Sequence, residues 1–187
     1  MGKDNNLVIF LVIFFLAFSS FAFAGEQPSG IYYTKANIWY EDNEISSANY
    51  HKGNMIHAGS KVEIAGTTSR IIKFIFGRDA AEFIISKSLH TKSSIENIFK
   101  RYFSKDNPLE SDEYLNFSNI EKENIKKGQV VVGMSKAAVA MAYGYPVSQD
   151  KTEIDSDSWT YARSRFQPLY VIFSHGVVAS INEEKGE

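Results

Sequence analysis

One short stretch, punctuated at both ends, constrains this chain more than any other. Ser135 stands before the alanine-rich run Lys136-Ala137-Ala138-Val139-Ala140-Met141-Ala142-Tyr143, and Gly144-Tyr145-Pro146 stands behind it. Ser135 is a good N-cap because its hydroxyl accepts a hydrogen bond from a first-turn amide, and alanine favours helix. Gly144 supplies a left-handed residue at the exit and Pro146 forbids continuation. The spacing predicts a helix of about two turns, too short to be stable alone. Val139, Ala142 and Tyr143 fall at i, i+3 and i+4, so the helix carries one apolar stripe that needs a partner. The chain encodes one downstream: strands at Ser158-Trp159-Thr160-Tyr161 and Leu169-Tyr170-Val171-Ile172-Phe173, a turn at Ser174-His175-Gly176, and a last strand at Val177-Val178-Ala179-Ser180-Ile181.

A second helix is expected just upstream. Ser118-Asn119-Ile120-Glu121 has the form of a capping box, and Lys126-Lys127-Gly128 places cations and a glycine where a helix ends. Taken together, Ile125-Lys126-Lys127-Gly128, Gly133-Met134-Ser135 leading to Val139, Gly144-Tyr145-Pro146, the Trp159-Thr160-Tyr161 strand and the Tyr170-Val171-Ile172-Phe173 to Gly176 hairpin resemble the SmpA/OmlA (BamE-like) family of small bacterial outer-membrane lipoproteins. The resemblance covers about the last third of the chain. It implies two helices packed on a three-stranded antiparallel sheet over 118–187, and a partner among outer-membrane assembly components.

The first half reads as strands. Ile31-Tyr32-Tyr33 and Ala36-Asn37-Ile38-Trp39-Tyr40 are rich in aromatic and β-branched residues, Glu41-Asp42-Asn43 is a turn, and Ile45 to Tyr50 and Met55-Ile56 precede a second turn at Ala58-Gly59-Ser60. Lys61-Val62-Glu63-Ile64 alternates, so Val62 and Ile64 share a buried face. Arg70 to Phe76 and Ala81 to Ile85 flank a hairpin loop at Gly77-Arg78-Asp79. Several short strands with frequent turns predict a small barrel over 25–90. The Ile56-His57-Ala58-Gly59-Ser60-Lys61-Val62-Glu63-Ile64 segment is similar to the SH3-like (bacterial SH3b) hairpin. Over 91–117 a helical connector is expected: Ser93 or Ser94 caps a helix with the stripe Ile95, Ile98, Phe99, Tyr102 and Phe103, Asn107-Pro108 ends it, and the acidic Leu109 to Asn116 serves as linker. The fold class is therefore α+β: an SH3-like β domain, a helical connector and a BamE-like ααβββ domain.

Residues 1–24 read as a signal peptide, with Lys3, an apolar run from Leu7 to Phe18, and Ala22-Phe23-Ala24 before Gly25, so that cleavage falls between Ala24 and Gly25. The alternative is an uncleaved segment that tethers the chain to a membrane. The chain has no cysteine. Disulfides do not brace it, and there is no lipobox cysteine for an acyl anchor, which departs from the lipidated pattern of the BamE-like family. A formal net charge of −2 gives no basic surplus for nucleic acid or for an anionic membrane surface.

No catalytic constellation emerges from spacing, so the chain reads as a non-enzyme without a cofactor. His51 and His57 with Glu63 are the nearest approach to a metal set, but surface or hairpin histidines that touch nothing are the favoured reading of them. Glu41-Asp42-Asn43-Glu44 and the acidic stretch Asp150 to Asp157 lack calcium-loop spacing. Asn116-Phe117-Ser118 fits a glycosylation acceptor, while Ser118 also serves as a helix cap. Aromatic residues are the remaining signal, because tyrosine and tryptophan are favoured at interfaces. Tyr145, Tyr161, Arg163, Arg165 and Phe166 are the candidate partner-binding residues. The expected function is an exported, periplasmic or secreted protein-binding or envelope-assembly accessory. The alternatives are an SH3b-type cell-wall binder and a small secreted hydrolase with a metal site.

Overall fold

The computed structural model describes residues 27–48, 50–88, 93–146, 155–164 and 167–183. The leader, with Ala24 and Gly25, lies outside them, as do Arg165 and Phe166. The fold is α+β. Among the described residues there are eleven strands and four α-helices, arranged around two apolar cores.

The first core rests on a six-stranded sheet. Its strands are β1 (Gly30–Thr34), β3 (Glu44–Ser46), β5 (Lys61–Thr67), β6 (Ile71–Phe76), β7 (Ala81–Ser86) and β8 (Phe103–Ser104), in the order β3-β7-β6-β5-β1-β8. A separate ribbon pairs β2 (Ile38–Tyr40) with β4 (Asn54–Ile56). The barrel expected over 25–90 does not close: the sheet is open, with β3 and β8 at its edges. The reason is a non-local pairing. β3 joins β7 in parallel, and β8, from beyond the expected domain, joins β1. Alternation is kept where it was read, with Val62 and Ile64 buried. The β6–β7 hairpin turns through Gly77 to Ala80, with Phe76 opposite Ala81.

Helix α1 (Ile95–Tyr102) is capped by Ser94, whose hydroxyl accepts from the Asn97 amide. It does not act as a free connector. Its stripe of Ile95, Ile98, Phe99 and Tyr102 is buried in the first core, where Tyr32 meets Phe99 edge-on at 5.1 Å. An apolar stripe of four side chains has to be covered, and the nearest sheet covers it. The expected linker is also folded: a 3₁₀ turn (Pro108–Glu110) leads into α2 (Asp112–Leu115), and Leu109 and Tyr114 pack against the second core.

The second core lies between helices α3 (Asn119–Lys127) and α4 (Lys136–Tyr143) and an antiparallel sheet of β9 (Ser158–Ser164), β10 (Gln167–Ser174) and β11 (Val177–Glu183), ordered β11-β10-β9. Val139, Ala142 and Tyr143 are buried against Trp159, Tyr161, Leu169, Val171 and Phe173, as the stripe required. Ser118 and Glu121 complete the capping box, and Gly128 ends α3 at φ 62°, ψ 44°. A side chain there would also meet Met55 Sδ at 2.7 Å and Trp39 Cζ2 at 2.8 Å, so glycine is needed for contact as well as for conformation. Gly144 departs from expectation in part: its φ is 80° but its ψ of −178° is extended, so α4 ends by turning straight into the next segment.

The two cores are joined by buried polar contacts. Asn37 is fully buried; its Nδ2 donates to the Ile125 carbonyl at 2.6 Å and the Ala142 carbonyl at 2.9 Å, while its Oδ1 accepts from the Ala58 amide at 2.8 Å. One side chain thereby holds the ends of both α3 and α4 against the β2–β4 ribbon.

Candidate binding cleft

Where the two cores meet, they leave a cleft of about 920 Å³. Tyr33 and Lys35, from the end of β1, line one wall with residues 104–108. Glu110, Ser111 and Glu113 form the rim. On the other side are the Lys136, Ala137 and Ala140 face of α4, Tyr145, Asp155 and Trp159. The cleft exists because β8 adds to the β1 edge and the Ser135 cap starts α4 opposite it. Ala137 and Ala140 are too short to fill the space between.

Trp159 belongs to both the core and the cleft. It is 1% exposed, packs edge-on against Phe173 at 4.8 Å, and its indole Nε1 is buried with no acceptor. A buried donor left unpaired costs about 1–3 kcal/mol. Natural structures keep such groups rare.

Charge around the cleft is unevenly committed. Lys35 Nζ donates to the Lys100 carbonyl at 3.0 Å. Lys105 Nζ donates to the Ser29 carbonyl at 3.2 Å and sits 3.8 Å above the Tyr32 ring. Lys136 Nζ pairs with Asp157 at 3.1 Å and reaches the Asp155 carbonyl at 3.2 Å. Among the described residues no ion pair engages the carboxylates of Asp106, Glu110, Glu113 or Asp155. Glu110 accepts from Asn107 Nδ2, at 3.0 Å. The Tyr145 phenol is held above its usual range by burial first and by the negative charge of Glu113 second, with Arg101 opposing. It therefore stays neutral, a hydroxyl able to donate and accept.

The candidate partner-binding residues fall in different places. Tyr145 lines the cleft. Tyr161 is not a surface residue: it is 1% exposed, meets Tyr143 edge-on at 5.1 Å, and donates its hydroxyl to the Gly144 carbonyl at 2.9 Å. Burial raises its phenol well above the usual range. The backbone of Arg163 lies in β9, with its side chain outside the described residues. Sequence reasoning missed Tyr33, Glu113 and Trp159 as cleft residues.

The metal alternative finds no geometry. His51 stacks on Tyr143 with ring centroids 3.5 Å apart, and its Nε2 lies 2.8 Å from the Tyr143 carbonyl. Among the described residues no three histidines or carboxylates are grouped to hold a metal ion. Glu41, in the acidic turn, pairs with Lys52 at 2.9 Å. Among the described residues, no helix is long and apolar enough to cross a membrane.

Compared with known proteins, the chain matches no family model, and no curated protein or solved structure is significantly similar to it.

Proposed function

We propose that this chain is an exported, non-catalytic protein-binding factor of the bacterial cell envelope, acting as an accessory to assembly at the outer membrane. The observation that carries the reading is the cleft itself, a concave space of about 920 Å³ lined from both cores, with Tyr33 and Tyr145 on its walls. Such volumes suit ligand recognition, and tyrosine contributes contact area and a polar tip with little loss of rotamer freedom. Kinship with BamE-like accessory proteins is part of the proposal; the α3–α4 pair laid on β9–β11 supports it. Export rests on the reading of residues 1–24.

The test places a photo-crosslinking amino acid at Tyr145 and, as a control, at Lys73, a partly exposed residue of β6 that pairs with Glu82 and does not line the cleft. In an intact envelope fraction, Tyr145 should give a discrete crosslinked product that Lys73 does not give and that Tyr33→Ala diminishes. Equal labelling from both positions, or a product indifferent to Tyr33→Ala, refutes binding in the cleft. Co-sedimentation with purified peptidoglycan in place of a protein product would favour a cell-wall binder.

A further inference from the structure

We infer that the cleft takes an extended peptide segment bearing lysine or arginine, its basic side chain meeting Asp106 and Glu113 and one of its backbone carbonyls accepting from Trp159 Nε1. This rests on the protein-binding reading and specifies the class of partner. Three observations converge on it. The first is the surplus of negative charge: Lys35, Lys105 and Lys136 are each held by the chain's own carbonyls or by Asp157, while the carboxylates of Asp106, Glu113 and Asp155 are left without ion-pair partners among the described residues. With Lys136 paired to Asp157, four carboxylates without an ion pair among the described residues (Asp106, Glu110, Glu113 and Asp155) stand against two such lysines, Lys35 and Lys105, so the lining favours a cationic ligand over an anionic one. The second is Trp159, 99% buried in the wall and holding a donor with nothing to donate to. A peptide carbonyl is a strong acceptor for an indole N–H, stronger than a sugar hydroxyl, and pairing it removes a desolvation penalty already present in the free chain. Because Nε1 is shut off from solvent, that acceptor reaches it only as the ligand displaces side chains of the cleft wall. The third is the pair of tyrosines, Tyr33 and Tyr145, whose faces suit the aliphatic stem and charged end of a basic side chain.

The chain has two tryptophans, Trp39 and Trp159. In a Trp39→Phe background Trp159 alone reports on the cleft. Three probes are titrated against the full mature chain: a capped ten-residue peptide with lysine at every third position in a glycine-serine background, its glutamate counterpart, and a chitin trisaccharide. The lysine peptide should give a saturable change in Trp159 emission and bind at least ~10-fold more tightly than either other probe, a margin that two charge-assisted contacts supply. The double variant Asp106→Asn with Glu113→Gln should lose that margin with an unchanged far-ultraviolet spectrum. By calorimetry, Trp159→Phe should weaken the lysine peptide about fivefold. Equal affinity for the lysine and glutamate peptides, a preference that survives the double variant, or binding that leaves the emission unchanged overturns the inference. If the lysine peptide fails while the Tyr145 crosslink persists, the peptide class is wrong and the binding function stands; if both fail, the functional reading goes as well.

Discussion

Asn37 donates its side-chain amide to the carbonyl of Ala142 across 105 positions of chain, at 2.9 Å and out of contact with water. The same nitrogen reaches Ile125, and the amide oxygen takes the Ala58 N–H. Every polar atom of that side chain points at a different element. Its position ties the β2–β4 ribbon, whose Ile38 and Ile56 belong to the first core, to the ends of α3 and α4 in the second.

Replacing Asn37 by alanine would leave the Ala142 carbonyl and the Ala58 amide buried with no partner from this side chain. We expect a loss of about 2–4 kcal/mol, from two orphaned groups at roughly 1–3 kcal/mol each with some relaxation. Urea unfolding measures it. A loss under about 0.5 kcal/mol, the range of an ordinary surface change, would show that the seam is held by packing alone.

Glu121 is a second point of convergence, and one that responds to pH. Burial disfavours its charged form, but the amides and hydroxyls of Ser135 and Ser118 all donate to its carboxylate and together hold its pKa below the ordinary 4.5. The folded pKa therefore lies below the unfolded one. The stabilisation is complete above the unfolded pKa and disappears as pH falls through the folded value. Glu121→Gln should flatten the acid limb of the stability curve below the ordinary carboxylate range and lower stability at neutral pH, where the wild-type carboxylate bridges the N-caps of α3 and α4. The carboxylate is mostly solvated, so screening keeps the effect modest. An acid limb of unchanged slope in the variant contradicts this account.

What local rules govern was legible in the sequence. The Ser118 and Ser135 caps, the Gly128 exit, the Val62 and Ile64 alternation and the His175-Gly176 turn all depend on residues within a few positions of one another, and all are found. Tyr161 was misplaced although the signal was present. Trp159 and Tyr161 are two apart in a strand and must share a face, and that is the face α4 covers. The open sheet was not legible, because it turns on three-residue β3 pairing with β7 and two-residue β8 pairing with β1, registers that only tertiary packing selects. Asn37 was invisible for the same reason: its partners lie up to 105 positions away. The cleft assembles from segments that no periodicity links.

Tyr161 separates folding from binding. Tyr161→Phe removes only the hydroxyl and leaves the Gly144 carbonyl without that donor, at a cost of about 1–2 kcal/mol. Tyr161→Ala empties a fully buried aromatic site and should cost about 3–5 kcal/mol. Both variants, compared by thermal melting, should differ by several degrees. If Tyr161→Ala melts with the parent protein, the ring does not occupy the core beside Tyr143.

Gly128 combines two constraints that a double-mutant cycle can separate. Its left-handed backbone disfavours any L side chain by about 1–2 kcal/mol, and an added methyl would also press on Met55 Sδ and Trp39 Cζ2. Gly128→Ala should therefore destabilise by more than the backbone term alone. Met55→Ala clears the sulfur, and in its presence the penalty for Gly128→Ala should fall by about 0.5 kcal/mol or more, since residues in contact do not act additively. The Trp39 edge and the backbone term persist, so rescue is partial. Strict additivity of the two changes in urea unfolding would mean that conformation alone demands glycine there, and that α3 does not press on the β2–β4 ribbon at its exit.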